Sequence, residues 1–215
     1  MKYIEKQSPP ERFIRYKKGC GATFEDLSEN HIDIKQELRA SLVEEQGYIC
    51  CYCGCRIDAT DAIVEHLKPK DGNKYPQLQL EYTNLLASCD GGQNARHNGR
   101  VYPSCCDNCK DNSEINLHPL MPECESRFLF DAEGDIICAQ DDLEAIETIR
   151  VLNLKSPVLK NRRKAVVAGV QYLPDEWNWG EELNKLKEKE EGKYREFCFV
   201  MESYIRNFKL RPILK

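Results

Sequence analysis

The sequence predicts an α+β fold, a small cysteine-stapled hairpin-and-helix core embedded in a mainly helical chain. Two observations predict it. Most of the 12 cysteines lie between Cys50 and Cys109, interleaved with short apolar runs and with Gly, Asn, Asp and Pro. On both sides of that segment apolar residues recur three and four positions apart, the period of an amphipathic helix.

Three regions follow in order. Residues 1–47 form an N-terminal helical arm: a polar start carrying Ser8-Pro9-Pro10, then a helix near 32–46 where Ile34, Leu38, Leu42 and Val43 share a face, with Gly47 placed to end it. Residues 48–112 are the core. Runs 62–67 and 82–87 read as short strands, joined by a lysine- and glycine-bearing loop that turns the chain back as a long hairpin, and a short helix follows from Cys106. Residues 113–215 are a mainly helical C-terminal region suited to docking a partner. It begins with two strand fragments around an Asp131-Ala132-Glu133-Gly134 turn, continues with helices at 143–152 and 157–170 and a charge-rich helix over 181–196, and ends in an apolar helix at 197–208. Trp177 and Trp179 read as packing anchors.

Composition sets the compartment and the class. With 31 Lys+Arg against 36 Asp+Glu the net charge is -5, and the pI is near 5.5, which excludes a wholly basic nucleic-acid binder and makes any such contact regional. The basic region is 150–170, where Arg150, Lys155, Lys160, Arg162, Arg163 and Lys164 occur without an acid. No run approaches the roughly 20 apolar residues of a membrane span, and the first residues lack the apolar stretch of a signal peptide, so the expectation is a cytoplasmic protein with no membrane contact. Thiols stay reduced there, and a dense cysteine set then points to metal.

Zinc takes four thiolate or imidazole ligands, commonly as two pairs. Cys50 and Cys53 supply a C-x2-C knuckle; the second pair is either Cys89 with Cys106, the choice favoured here, or Cys106 with Cys109. Cys51, Cys55 and Cys105 are adjacent competitors, whereas Cys20, Cys124, Cys138 and Cys198 read as spectator thiols.

Glu65-His66 closes the first strand run just before Pro69. Successive strand residues face opposite sides, so the two can serve one site only where the strand ends, and Pro69 makes that ending expected; alone, the pair would read equally well as a surface ion pair. If a helix starts at Cys106, Asp107 and Asp111 fall on one face, Asp111 being better explained as helix N-terminal charge. Lys68, Lys70, Lys74, Arg96, Arg100 and Lys110 surround these residues as candidate phosphate contacts, with Arg162 and Arg163 in the later basic run. His97 lies in the long insertion between Cys89 and Cys105 as an alternative ligand, and His31 and His118 read as structural.

Taken together, Cys50-x2-Cys53, Glu65-His66-Leu67-Lys68-Pro69, Asn84-Leu85 and Cys106-x3-Lys110 resemble the zinc-stapled ββα-metal motif of HNH endonucleases. The similarity widens to the HNH subunit of the Septu anti-phage system, also found beside retrons, through Ile4-Glu5-Lys6, Tyr48-Ile49-Cys50-Cys51-Tyr52-Cys53, Asn84-Leu85-Leu86-Ala87-Ser88-Cys89 and Leu152-Asn153-Leu154 with Arg162. The resemblance implies a zinc-stapled ββα-metal (HNH) core hydrolysing nucleic-acid phosphodiester bonds. It implies His66 as general base, Glu65 as ligand of a catalytic Mg2+ or Mn2+, Asn84 holding the loop that carries the base, a structural Zn2+, and a co-encoded ABC-type ATPase as partner. The family's final His is replaced by Asp107, which keeps an oxygen ligand for a hard cation. The competing reading is a zinc-stapled nucleic-acid or protein-binding module with an inactive centre; Glu65, His66 and Asn84 favour the enzyme, because a binding knuckle requires none of them.

Overall fold

Ile63 and Val64 favour extended backbone, and they open β1 (Ile63–His66), which pairs antiparallel with β2 (Leu85–Ser88) in the register Ile63↔Ser88 to His66↔Leu85. The computed structural model describes residues 1–70, 74–174 and 176–210. Every residue of β2 is buried, because α3 (Ile32–Glu45) packs over the hairpin with Leu38, Leu42 and Val43 inward. Just beyond α3, Gln46 takes the place of a third strand: its Nε2 donates to Ala87 O at 2.8 Å and its Oε1 accepts from Ala87 N at 2.7 Å. Residues Tyr82–Asn84, expected as strand, form a 3-10 turn instead, in which Asn84 N donates to Glu81 O. The hairpin is therefore shorter than the apolar run that encodes it.

Two helices stand in the N-terminal arm where the sequence suggested only a polar start. α1 (Glu11–Lys17) follows Pro10, and α2 (Phe24–Asn30) is capped by Thr23, whose side chain accepts from Asp26 N. Both are seven residues long, too short to show a helical period, and Phe13, Phe24 and Leu27 fix them by burial.

After the hairpin come α4 (Gln93–His97) and the single turn α5 (Asp107–Lys110). β3 (Leu129–Phe130) pairs with β4 (Ile136–Ile137) around the expected Asp131–Gly134 turn. α6 (Leu143–Val151), α7 (Pro157–Gln171), α8 (Trp179–Lys187) and α9 (Cys198–Tyr204) build the C-terminal layer, with a π-helical turn at Ile205–Lys209. The charged helix expected to 196 stops at Lys187. A tight turn follows, bridging Glu190 and Lys193, with Glu191 and Gly192 at positive φ. Trp179 is buried, whereas Trp177 is half-exposed and anchors less than expected. The layer meets the core backbone to backbone: Phe197 N donates to Gly54 O at 2.9 Å, and Cys106 N to Leu152 O at 3.0 Å. Gly54 sits at φ +80 against Phe199, whose Cε1 a Cβ would approach to 2.4 Å, so only glycine fits this junction. No helix among the described residues is long and apolar enough to cross a membrane.

Much of the basic run at 150–170 is engaged within the chain, most of it in surface ion pairs. Lys160 pairs with Asp135 at 2.7 Å, Lys164 with Glu133, and Arg150 with Glu147 at 2.6 Å. Arg163, expected at a nucleic-acid surface, is buried. Its Nε donates to Gly134 O at 2.8 Å and its Nη2 to Leu154 O at 2.9 Å, while burial pushes its pKa down to about 10. Arg163→Met should therefore leave two inward carbonyls without donors and cost about 2–4 kcal/mol, read from the denaturant midpoint. An unchanged midpoint would mean that the buried bonds carry no stability.

Candidate active site and metal centre

Four thiols converge where three segments meet. The Sγ atoms of Cys50, Cys53, Cys89 and Cys106 lie within 4.8 Å of one another. Cys50 and Cys53 come from the knuckle after α3, closed by Cys50 N to Cys55 O (2.9 Å) and Gly54 N to Cys50 O (3.1 Å); Cys89 follows β2, and Cys106 opens α5 with φ +54. Cys53 and Cys89 are 3.9 Å apart. A tetrahedron with sulfur about 2.3 Å from its centre has edges of about 3.8 Å, so the donor set fits a structural zinc ion. Hydrogen bonds from Cys105 and Cys106 hold the Cys89 thiol well below the ordinary thiol range. Cys109, the alternative fourth ligand, is outside this set; Cys55 flanks it, 3.3 Å from Cys53.

Asp107, the first residue of α5 and the neighbour of Cys106, lines a separate cleft. This cleft of about 400 Å3 is lined by Phe24, Glu65, His66, Lys70, Asp107 and Asp111, among others. Glu65 and His66 share it because β1 stops at His66. There the loop turns under Asn84, whose Oδ1 accepts from Lys68 N (2.7 Å) and whose Nδ2 donates to Lys68 O (3.0 Å) and Leu78 O (3.1 Å).

His66 is buried, with Phe24 edge-on to its ring at 4.4 Å, and its Nε2 lies 3.0 Å from Gln79 O. A carbonyl can only accept, so Nε2 carries the proton and Nδ1 is the basic nitrogen. Burial lowers the pKa to about 4, leaving the ring neutral at physiological pH.

Glu65 is buried as well: its Oε1 accepts from Tyr52 Oη at 2.7 Å and lies 2.9 Å from Lys110 Nζ. Asp107 faces it, and burial together with the hydrogen bond and charge of Glu65 raises the Asp107 pKa to about 9. At that value Asp107 is a protonated acid hydrogen-bonded to the Glu65 carboxylate at neutral pH, and a hard divalent cation such as Mg2+ or Mn2+ would displace that shared proton to meet two oxygen donors. Asp111 also borders the cleft, but by a left-handed residue after α5 ends, not along a helical face.

Several expected phosphate contacts are placed elsewhere. Lys110 is fully buried, donating to His66 O at 2.9 Å as well as meeting Glu65, so it ties α5 to β1 and offers nothing to solvent. Lys68 and Lys74 both pair with Glu114. Arg96 bonds to Gly91 O and Tyr102 O. Lys70 is exposed at the cleft, Arg162 is exposed beside Cys55 and Cys105, and His97 is exposed on α4 outside the cleft lining.

No protein-family model matches the chain. A protein of Vibrio cholerae serotype O1 biovar El Tor, named as the HNH endonuclease of retron Vc95, is 30% identical over 170 residues, covering 76% of this chain and 79% of that protein. The chain belongs to the retron-associated HNH endonuclease family. A second member, named for retron Ec83 of Escherichia coli, is 26% identical over 244 residues, spanning 96% of this chain and 95% of its own. The family is of the Septu type: Septu protein PtuB of Bacillus thuringiensis is 36% identical over 73 residues, 32% of this chain and 28% of that one.

In this HNH-family chain three contributors escaped sequence reasoning. Tyr52 lies between the knuckle cysteines, a position that could have flagged it. Gln79 acts through its backbone carbonyl, which no side-chain pattern encodes. Phe24 reaches His66 from an N-terminal helix far away in the chain.

Proposed function

We propose that the chain is a metal-dependent HNH endonuclease that hydrolyses nucleic-acid phosphodiester bonds in cytoplasmic anti-phage defence, acting with an ABC-type ATPase subunit. One observation supports the activity above the others: a neutral, buried His66, whose Nδ1 has no hydrogen-bond partner among the described residues, opens onto the same cleft as the apposed carboxyl groups of Glu65 and Asp107. His66 Nδ1 takes the proton of the attacking water, and Gln79 O fixes the tautomer that makes this possible. Glu65 and Asp107 would hold a Mg2+ or Mn2+ ion, which would supply positive charge for the crowded phosphoryl oxygens and the leaving oxygen. Tyr52 and Lys110 keep Glu65 oriented, and Asn84 holds the backbone just after the base. The likeness to Septu protein PtuB supports a defence setting, and the C-terminal layer supplies the surface for the ATPase.

Two metals of different character give a separable test. Dialysis against EDTA should abolish cleavage while the zinc remains with the four cysteines, and added Mg2+ or Mn2+ should restore the rate. Undiminished cleavage after complete removal of hard cations would exclude this reading.

A further inference from the structure

A group of cations beside the cleft has no role in the chemistry above. Lys35 and Arg39 stand one turn apart on α3, and Lys70 lines the cleft itself. The Nζ atoms of Lys35 and Lys70 each lie 5.4 Å from the ring centre of Phe24, the residue that packs against His66. Arg39 reaches the start of β1, where Nη1 donates to Ala62 O at 3.4 Å, and its Nε is buried without a hydrogen-bond partner among the described residues.

Among the described residues no acid forms an ion pair with this group, although Asp107 and Asp111 line the same cleft as Lys70. Asp33 and Glu37, which flank Lys35 on α3, are both engaged by Arg12. Glu114 takes Lys68 and Lys74. Asp58 feels the charge of Arg39 without contacting it, and neither Lys35 nor Lys70 makes an ion pair among the described residues. Burial and the like charges of Lys70 and Arg39 lower the pKa of Lys35, as expected where cations gather without a counter-ion. In a chain of net charge -5, such a cluster is a local exception next to the reactive groups.

We propose that Lys35, Arg39 and Lys70 form a basic rail that grips the phosphate backbone of a nucleic-acid strand lying in the cleft. The proposal rests on the nuclease reading for why a strand should lie there. Its position follows from the placement of Phe24: the two lysines flank the ring that backs the base, so phosphates held by them run past His66.

The test is binding, measured on the full-length His66→Ala chain so that the probe survives. Fluorescence anisotropy with a labelled 20-base-pair DNA duplex, the matching single strand and an RNA of the same sequence gives affinity as a function of salt. Adding Lys35→Gln, Arg39→Gln and Lys70→Gln should weaken binding of at least one probe about 10-fold or more at low salt. Each lost phosphate contact should flatten the log–log salt dependence by about 0.9 for duplex and about 0.7 for single strands. Lys185→Gln, a change on the remote helix α8, serves as the control and should alter neither. If loss of Arg39 unfolds the triple variant, the Lys35→Gln, Lys70→Gln pair carries the test with two contacts. Unchanged affinity and slope, or no binding of any probe by the His66→Ala chain, overturns the rail. Rail-dependent binding by a chain whose wild type cuts nothing, even with the proposed ATPase subunit and Mg2+ or Mn2+ present, would instead uphold the rail and refute the nuclease.

Discussion

His66→Ala is expected to lower the cleavage rate about 100-fold or more while leaving zinc content and fold intact. Among the described residues the side chain holds one hydrogen bond, to Gln79 O, and one aromatic contact, to Phe24, so its packing contribution is modest beside its place in proton transfer. Burial also gives the wild type a pH signature. His66 stays neutral in the folded chain down to about pH 4, whereas an unfolded histidine protonates near 6.5. Between those values the unfolded state binds more protons, so this residue's contribution to stability falls as pH falls through the window. The alanine variant lacks that component, and thermal unfolding from pH 7 to 4 should show a shallower loss. Near-normal turnover by the variant would remove His66 from the mechanism.

Cys53→Ser is expected to abolish zinc binding at the four-cysteine site and, with it, the folded core. Strands of four residues and a helix of a single turn bury too little to stand alone, and the four cysteines join the knuckle, the end of β2 and the start of α5. Structural zinc sites contribute about 10–16 kcal/mol of apparent binding free energy, comparable with the whole stability of a domain at about 5–15 kcal/mol. Elemental analysis should find one zinc per wild-type chain, and the variant should be zinc-free and aggregate. Folded, active wild-type protein without zinc would contradict this.

Legibility followed the type of residue. The hairpin, α3, α6 and α7 were readable because their apolar residues repeat at strand or helix period and tertiary packing agrees with the local pattern. The cysteine set was readable because metal ligation restricts residue type and spacing, and the choice of Cys89 over Cys109 rested on placing one ligand at a strand end and one at a helix start. The charged residues misled. Lys110 and Arg163 look like surface cations in sequence, yet each has its charge matched by inward carbonyls or a carboxylate. Lys35 and Arg39 carry no distinguishing local signal, and only folding brings Lys70 beside them. Long-range partners decide whether a cation is buried, paired or left for a ligand, and no local pattern encodes them.

The most direct measurement is cleavage itself. The wild-type chain, co-purified with the proposed ATPase subunit and supplied with Mg2+ or Mn2+, is incubated with labelled pools of DNA and RNA, alongside the His66→Ala complex. Endonucleolytic fragments from at least one pool with the wild type, and none above background with the variant, is the expected result. Intact pools with the zinc-loaded, partner-bound wild type, or equal cutting by both proteins, would contradict a hydrolytic centre at Glu65, His66 and Asp107.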